Sequence, residues 1–301
     1  MIDVPRGAAP AQSGILIVDK PAAATSHDVV AAVRRLAHTR KVGHAGTLDP
    51  AATGVLVIGI GAGTKLLTYL SGADKDYLST FRLGQETDTE DADGQIISTP
   101  GLTATDEQID VALASLTGTI EQIPSAYSAK KIDGKRAYDL ARAGEKVDLK
   151  AATVTIDRLD RTSPVTRHDD LADFDVEVSC STGTYVRALA RQTANALGSA
   201  GHITYLRRTR VGGFDLSEAH TIDSLIEQAQ SGPISVLPMA EAAKRSMPSV
   251  QITAEQETAL RYGQFIDLDV ESFPVALIRD DTLVAIGTKR GNQVGPATVF
   301  A

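Results

Sequence analysis

Residues 43–56 read GHAGTLDPAATGVL, and this stretch decides how the rest of the sequence is interpreted. Apart from Asp49, positions 42–64 contain no Lys, Arg, Glu or second Asp. Gly46 permits backbone angles that other residues avoid. The apolar run at 54–60 predicts a buried strand directly after the loop. The residues alone leave two interpretations of Asp49 open, a turn residue or an acid group held on a rigid turn for catalysis.

Length and composition predict one large domain and a small one. The chain has 301 residues, of which 43% are hydrophobic, as in folded globular proteins. Its single cysteine, Cys180, excludes an internal disulfide, and its apolar surroundings predict a buried, unreactive thiol. Residues 1–13 lack the apolar segment of a secretory signal, and no apolar run approaches the roughly 18 residues of a membrane helix. We therefore expect a cytoplasmic protein without a membrane segment.

The distribution of charge is uneven. The net charge is −8, which argues against a non-specific nucleic-acid binder because phosphate contacts need Lys and Arg. Positive charge is nevertheless concentrated in three segments. Residues 34–41 and 202–210 contain no acid, and residues 129–150 hold seven Lys and Arg against four acids, a net of +3. These segments are either solvated faces or a basic RNA-binding face on an acidic body.

Hydrophobic periodicity predicts an α+β fold with a mixed sheet, because strands and helices do not alternate strictly. Strands are predicted at 14–20, 55–60, 77–83, 154–159 and 174–180. Helices are predicted from an N-cap at Ser26, over 106–116 and from Thr184 to a stop at Gly198. After a break near 244–248, the pattern indicates a strand, a short helix over 254–262 and a hairpin around Asp280-Asp281.

Several motif-like strings fail the spacing rules for cofactor sites. The glycine-rich run 59–65 lacks the spacing of a phosphate-binding loop or of a dinucleotide fingerprint. A calcium loop around Asp91-Ala-Asp93-Gly94 would need ligands at Thr89 and Pro100, and neither can supply the required carboxylate. No pair of histidines or cysteines has zinc-ligand spacing. We therefore expect no metal and no cofactor.

The opening motif resembles the active-site motif of the tRNA pseudouridine-55 synthases of the TruB type. Further similarities follow in family order, at 14–21 with 25–27, 75–77, 127–131, 134–138 and 180–187. The resemblance spans roughly 14 to 240, and 246–301 is a weaker match to a small PUA-like domain.

The resemblance implies a pseudouridine synthase catalytic domain whose mixed, mostly antiparallel sheet is flanked by helices, plus a small C-terminal PUA-like β-rich domain. The implied divisions are a flexible N-terminus at 1–13, a catalytic domain at 14–244 with an RNA-clamping insertion at about 124–150, and the PUA-like domain at 245–301. The sequence departs from the family pattern at Gly63, at Ser125-Ala126 and at Ala152. These departures concern RNA binding, and none of them changes a residue implied to be catalytic.

By motif position, the resemblance makes Asp49 the catalytic aspartate, Arg187 its arginine partner and Tyr77 the tyrosine that stacks on a flipped-out base. Lys65 would be buried or would face a phosphate. The substrate-binding residues that the resemblance implies are His44, Tyr185, Leu206, Lys65, Lys130, Lys131 and Arg136. No metal ligand is implied.

The implied activity is the isomerisation of uridine 55 in the T-arm stem-loop of tRNA to pseudouridine, by a monomer without an obligate protein partner. Attack of Asp49 on C1′, addition to the uracil ring and assistance to proton removal all remain open. Two rival interpretations are a non-catalytic tRNA-binding or tRNA-folding protein on the same scaffold, and a synthase directed to another RNA by guide or partner proteins. The second rival would need terminal segments beyond those present.

Overall fold

The computed structural model describes residues 2–125 and 149–300, together with the backbone of 131–132 and 135–136. Its strands are β1 (Gly14–Lys20), β2 (Val42–Ala45), β3 (Thr53–Ile60), β4 (Lys75–Leu83), β5 (Glu86–Thr87), β6 (Ile96–Ser98), β7 (Gly118–Gln122), β8 (Lys131–Ile132), β9 (Lys135–Arg136), β10 (Ala152–Arg161), β11 (Thr166–His168), β12 (Leu171–Cys180), β13 (Gly201–Val211), β14 (Phe214–Asp215), β15 (Ser249–Gln251), β16 (Val275–Arg279), β17 (Thr282–Arg290) and β18 (Gln293–Val299). Its α-helices are α1 (Ser26–Leu36), α2 (Leu67–Leu70), α3 (Asp106–Ser115), α4 (Val186–Ala196), α5 (Ile222–Ser231), α6 (Met239–Lys244) and α7 (Ala254–Arg261).

The chain folds into two compact units, each assembled from segments that are distant in sequence. Unit 1 contains Met1–Pro50, Gly54–Ala73 and Val211–Ala301. Unit 2 contains Ala51–Thr53 and Asp74–Arg210. The sequence crosses from unit 1 to unit 2 directly after Asp49 and Pro50, so the loop that carries Asp49 ends at a boundary between units.

In unit 1, strand β3 pairs antiparallel with both β1 and β2. Alternate residues of β1 point to opposite faces. Ile15 and Ile17 belong to one hydrophobic cluster, whereas Leu16 and Val18 belong to a second that also contains residues of α1 and α5. Both faces of β1 are therefore buried, which is why its sequence is a continuous apolar run.

Helix α1 begins one residue earlier than the sequence pattern predicts. Thr25, not Ser26, is the N-cap, since the Thr25 hydroxyl accepts a hydrogen bond from the Asp28 amide while the Asp28 carboxylate accepts one from the Thr25 amide. Ser26 is the first helical residue, and its hydroxyl hydrogen-bonds to Leu48 instead. The predicted N-cap at Ser26 was therefore wrong, because a contact 22 positions away in sequence occupies that hydroxyl.

In unit 2, the strand order is β13-β4-β12-β10-β7, with β11 paired to β12. Strand β12 runs antiparallel to β4 from Ala172, opposite Leu83, to Cys180, opposite Lys75. Helix α3 packs against β10 and α4, and α4 also packs against β4. Of the predicted insertion at 124–150, the described part includes an antiparallel hairpin of β8 and β9, in which Lys131 lies opposite Arg136. The rest of the insertion lies mostly outside the described residues.

The C-terminal residues form a separate four-stranded sheet in the order β15-β16-β17-β18, in which β15 is parallel to β16 and the other pairs are antiparallel. Val275 and Leu277 of β16 enter a hydrophobic cluster whose buried members lie between residues 252 and 294. Ala276 and Ile278, on the opposite face, join the cluster that contains Ile15. This sheet is therefore buried on both faces within unit 1.

The hairpin predicted around Asp280-Asp281 is confirmed, and both residues have positive φ angles, 47° and 59°. Such angles match the tight two-residue turns that connect antiparallel strands. The α+β fold class with its separate C-terminal sheet is confirmed. The domain boundaries at 13, 244 and 245 stay a prediction. Within the described part of the chain, no helix is long and apolar enough to cross a membrane.

The glycine at position 63, which departs from the pattern of the family that the sequence resembles, is explained by packing. Gly63, where alanine is common in that family, lies against β1, and a Cβ atom at this position would be 2.1 Å from the carbonyl oxygen of Gly14. Backbone atoms cannot yield as a flexible side chain can. Alanine at position 63 would therefore require β1 to shift.

The thiol of Cys180 provides a test of the packing in unit 2. Burial raises the pKa of Cys180 to about 11. Because the pKa in the folded protein exceeds the unfolded value of about 8.5, the stabilising contribution of the neutral thiol is complete below that pH and is lost as the pH rises toward 11. At pH 8 we expect the native protein to react with a thiol reagent at least about a hundredfold more slowly than the unfolded protein. Stopped-flow alkylation with and without guanidinium measures this ratio, and equal rates would contradict the burial.

Candidate active site

The loop that carries Asp49 is anchored by a buried lysine. Lys20, the last residue of β1, is 0% exposed. Its ammonium group donates hydrogen bonds to the carbonyl oxygens of Pro21 at 2.9 Å, Ala24 at 2.5 Å and Pro50 at 3.1 Å. A buried ammonium group is stable only when its donors are satisfied. Lys20 therefore joins the end of β1, the turn before α1 and the residue that follows Asp49.

The other side of Asp49 is held by a serine. The Ser26 hydroxyl donates to the Leu48 carbonyl oxygen at 3.0 Å and accepts from the Leu48 amide at 2.9 Å. Both groups are buried. Because the residues before and after Asp49 are both tied to the start of α1 or to the end of β1, the backbone at Asp49 is fixed in position. Side-chain attachments of this kind preorganise a catalytic group.

Two glycines shape the loop, Gly46 as the sequence predicts and Gly54 in addition. Gly46 has a φ angle of 82° and Gly54 one of 100°, both in the region that favours glycine. Between them Asp49 is half-buried. In β2, the ring of His44 lies edge-on to that of His27, with ring centroids 5.5 Å apart. His44 and Asp49 are thus both presented by unit 1.

Arg187 is the buried cation of unit 2. It lies in the first turn of α4 and is 5% exposed. Its Nη1 donates to the Thr89 carbonyl oxygen at 2.8 Å and lies 3.6 Å from the Asp91 carboxylate. A buried guanidinium group needs such partners to offset its desolvation. The sequence placed Arg187 at the start of a helix, and the structure adds that an acidic loop holds its guanidinium group.

That loop is itself held by internal hydrogen bonds. The Asp91 carboxylate accepts from the Asp93 amide at 3.2 Å and from the Thr89 hydroxyl. The Thr87 hydroxyl donates to the Asp91 carbonyl oxygen at 2.7 Å. Asp91 was considered in the sequence only as a calcium ligand, and its role as a partner of Arg187 was missed. The concentration of acids around it was the available signal, but nothing in the sequence connects this loop to a residue 96 positions later.

A second arginine of α4 connects the same loop to the base of the insertion. Arg191 pairs with Glu90 and donates through Nη2 to the Ile123 carbonyl oxygen at 2.5 Å. Burial raises the pKa of Glu90, although the positive charges of Arg191 and Arg187 oppose the rise. Glu90 has a φ angle of 62°, uncommon for a residue with a side chain. Two successive turns of α4 thus fix two successive acids of one loop.

The residues predicted to surround the base lie on different elements of unit 2. Tyr77, on β4 opposite Val178, is 8% exposed. Tyr185 is the N-cap residue of α4, and its amide donates to the buried Gln122 side chain at 2.7 Å. Leu206 is partly exposed on β13. The roles of these residues toward a base stay predictions.

The remaining predicted residues have different placements. Lys65 is exposed rather than buried, with its ammonium group donating to the Val299 carbonyl oxygen at 2.9 Å. Lys130 lies outside the described residues, and for Lys131 and Arg136 only the backbone is described. Across residues 2–125 and 149–300, no cluster of three or more His, Cys, Asp or Glu side chains could hold a metal ion.

The fold is that of the pseudouridine synthases. A structure of an H/ACA RNP bound to a substrate RNA containing 2′-deoxyuridine aligns with a TM-score of 0.70 at 23% identity, covering 96% of this chain and 85% of that chain. The archaeal box H/ACA sRNP Nop10-Cbf5 complex also aligns with a TM-score of 0.70, at 22% identity, covering 96% and 86%. At these identities the similarity establishes the fold alone.

The sequence comparisons establish the family. The family described as TruB family pseudouridylate synthase (N terminal domain) matches residues 34–186. Proteins named tRNA pseudouridine synthase B are 52% identical in Mycobacterium sp. (strain KMS), with 95% of this chain and 97% of that protein covered, and 46% identical in Arthrobacter sp. (strain FB24), with 96% and 97% covered. The chain therefore belongs to the TruB family of pseudouridylate synthases, as the opening motif predicted.

The anchoring of the Asp49 loop predicts a large loss of stability when Lys20 is replaced. Lys20→Met removes three hydrogen bonds and leaves carbonyl groups without their donor, so we expect the free energy of unfolding to fall by about 3–5 kcal/mol. Ser26→Ala removes two hydrogen bonds and should lower it by about 1–3 kcal/mol. Urea denaturation followed by circular dichroism measures both. Wild-type stability in the two variants would show that the anchors are not needed.

The contact between Arg187 and Asp91 predicts a smaller, charge-specific effect in unit 2. Asp91→Asn keeps the shape of the side chain but removes the negative charge facing a buried guanidinium group, so we expect a loss of about 1–3 kcal/mol in unfolding free energy. Asp93→Asn, two residues away, makes the same charge change at an exposed side chain that forms no ion pair with any residue the structure describes. Equal denaturation midpoints for the two variants would argue against the pairing.

Proposed function

We propose that this protein isomerises uridine 55 in the T-loop of tRNA to pseudouridine. The observation that carries the proposal is Asp49, which lies in the family motif on a loop fixed on both sides by Lys20 and Ser26. Relatives named tRNA pseudouridine synthase B support tRNA as the substrate, and the chain covers nearly their whole length. No redox change is involved, since substrate and product are isomers.

The reaction breaks the bond between N1 of the uracil and C1′ of the ribose and forms a bond between C5 and C1′. The proton on C5 is lost and N1 gains one, so atoms balance within the nucleotide and water. The detached base must stay in the site and turn before the new bond forms. The protein therefore has to extrude the nucleotide from its loop and enclose it.

In this proposal Asp49 provides the anionic group and Arg187 a fixed positive charge. An ionised carboxylate in a dry pocket needs a cation to offset its lost hydration. The firm attachment of Arg187 to Thr89 and Asp91 suits this role, because a fixed charge does not have to reorganise during reaction. Tyr77 offers an aromatic face for the extruded base, and base stacking of this type is worth about 1–3 kcal/mol.

A non-catalytic tRNA-binding protein on the same scaffold is the alternative. It would have no need for Asp49, Tyr77 and Arg187 together, so their joint presence favours the enzyme. The monomeric state, the cytoplasmic location, the absence of an obligate partner and the clamping role of the insertion stay predictions.

Asp49→Asn tests the proposal directly. The amide keeps the shape of the side chain but cannot act as an anionic nucleophile or base, so we expect single-turnover pseudouridine formation in a T-arm hairpin to fall by more than about a thousandfold. RNA affinity should stay within about threefold of wild type, since the negative charge contributes nothing to phosphate contacts. Asp269→Asn, at an exposed position, is the control for the charge change. Turnover within about tenfold of wild type would remove Asp49 from the mechanism.

A further inference from the structure

A cavity lined by basic side chains opens at the end of α1, in unit 1. It has a volume of about 470 Å³. The residues that line it are Arg6, Arg34, Arg35, His38, Thr39 and Arg40. Four of the six are arginines and none is acidic. We refer to it as the α1 cavity.

The arginines of the α1 cavity are not neutralised by carboxylates. Within residues 2–125 and 149–300, none of the four forms an ion pair, and their hydrogen bonds go to backbone carbonyl oxygens and to the His38 ring. Arg34 donates from Nη2 to the Val42 carbonyl oxygen at 3.0 Å, and Arg35 donates from Nε to that of Val4 at 2.7 Å. Each guanidinium group has five N–H donors, so most donors of these side chains remain available.

Stabilisation of helix α1 explains only two of the four arginines that line the α1 cavity. Arg34 and Arg35 occupy the last turn of α1, where cations interact favourably with the helix dipole. Arg6 and Arg40 lie outside the helix, so the dipole gives no reason for them. Arg6 reaches the cavity from the N-terminal segment, where its guanidinium group contacts the His38 ring.

His38, which lines the α1 cavity, has an unusual backbone conformation. It follows the C-cap of α1 with a φ angle of 49°, at a position where glycine or asparagine is usual. Its Nε2 faces Arg6, and its buried Nδ1 has no hydrogen-bond partner in the described part of the chain. His38 thus adopts a backbone conformation that is unfavourable for histidine, and its ring lies against Arg6 at the end of α1.

We propose that the α1 cavity binds backbone phosphates of the substrate RNA away from the reacting nucleotide. Arginine guanidinium groups match phosphate geometry with paired donors. The chain carries a net charge of −8, so RNA must be drawn to local concentrations of positive charge. This proposal rests on the proposed function for the identity of the RNA.

The position of the cavity in the chain favours RNA over a free nucleotide. Arg40 precedes Asp49 by nine residues, which can span at most about 30 Å. Strand β2, whose first residue accepts the hydrogen bond from Arg34, leads directly into the Asp49 loop. An RNA that places one nucleotide at Asp49 also has neighbouring phosphates within about 30 Å of it. This is the distance from Asp49 within which Arg40 must lie.

The double variant Arg6→Gln/Arg40→Gln tests the proposal and leaves both arginines of α1 in place. Arg158→Gln/Arg167→Gln is the matched control, since it makes the same change in net charge at exposed arginines of unit 2 that pair with Glu177 and Asp106. The dissociation constant of a T-arm hairpin is measured from 50 to 300 mM KCl by fluorescence anisotropy. Thermal unfolding of all three proteins shows whether each variant is folded.

We expect the cavity variant to bind the hairpin about tenfold or more weakly, with a slope of log K against log salt that is shallower by about 1.4–1.8, as the loss of two phosphate contacts requires. Turnover at saturating RNA should be unchanged. If wild type formed no pseudouridine, the proposed function would fail while the affinity measurement still tested the cavity. An affinity and a slope equal to those of the control would overturn the proposal.

Discussion

The fixed position of Asp49 depends on one buried positive charge. The ammonium group of Lys20 is removed from water and surrounded by carbonyl oxygens, and one of them belongs to the residue next to Asp49. A charge placed there demands that its partners stay in position, because any separation leaves an ion without water or ligands. The lysine therefore acts as a geometric constraint. It makes the end of β1, the start of α1 and the Asp49 loop a single rigid arrangement.

Unit 2 uses the same physical principle with arginines. Arg187 and Arg191 lie one helical turn apart on α4, so their side chains extend from the same face. They engage Asp91 and Glu90, which are adjacent in sequence. The helix thereby fixes a loop that has little hydrophobic content of its own. In both units, hydrophobic packing holds a strand or helix in place, and a cationic side chain on that element fixes the position of a polar loop.

Local sequence patterns identified many of the elements and singled out Asp49, but they did not reveal the contacts that orient them. Strands β1 and β3 follow from apolar runs and β12 from alternating apolar residues, and the Asp49 loop was recognised from its glycines and its motif. Lys20 was not singled out, because a lysine at the end of a strand and before a proline has the pattern of an exposed terminus. The helix was predicted to start at Thr184, but Tyr185 is its N-cap and the Tyr185 amide bonds to Gln122, so the helix starts two residues later, at Val186. Each of these differences reflects a partner distant in sequence, which periodicity cannot reveal.

The composition of unit 1 has a consequence for folding during synthesis. One hydrophobic cluster contains both Ile15 and Phe300, so residues from the two ends of the sequence complete the same core. Unit 2, formed from residues between 51 and 210, has all its segments available much earlier. At about 5–20 residues per second, the roughly 90 residues that follow take several seconds to translate. During that interval β1 and β3 have left the ribosome with apolar surface still uncovered. The Asp49 loop therefore reaches its final conformation only after unit 2 has had time to fold.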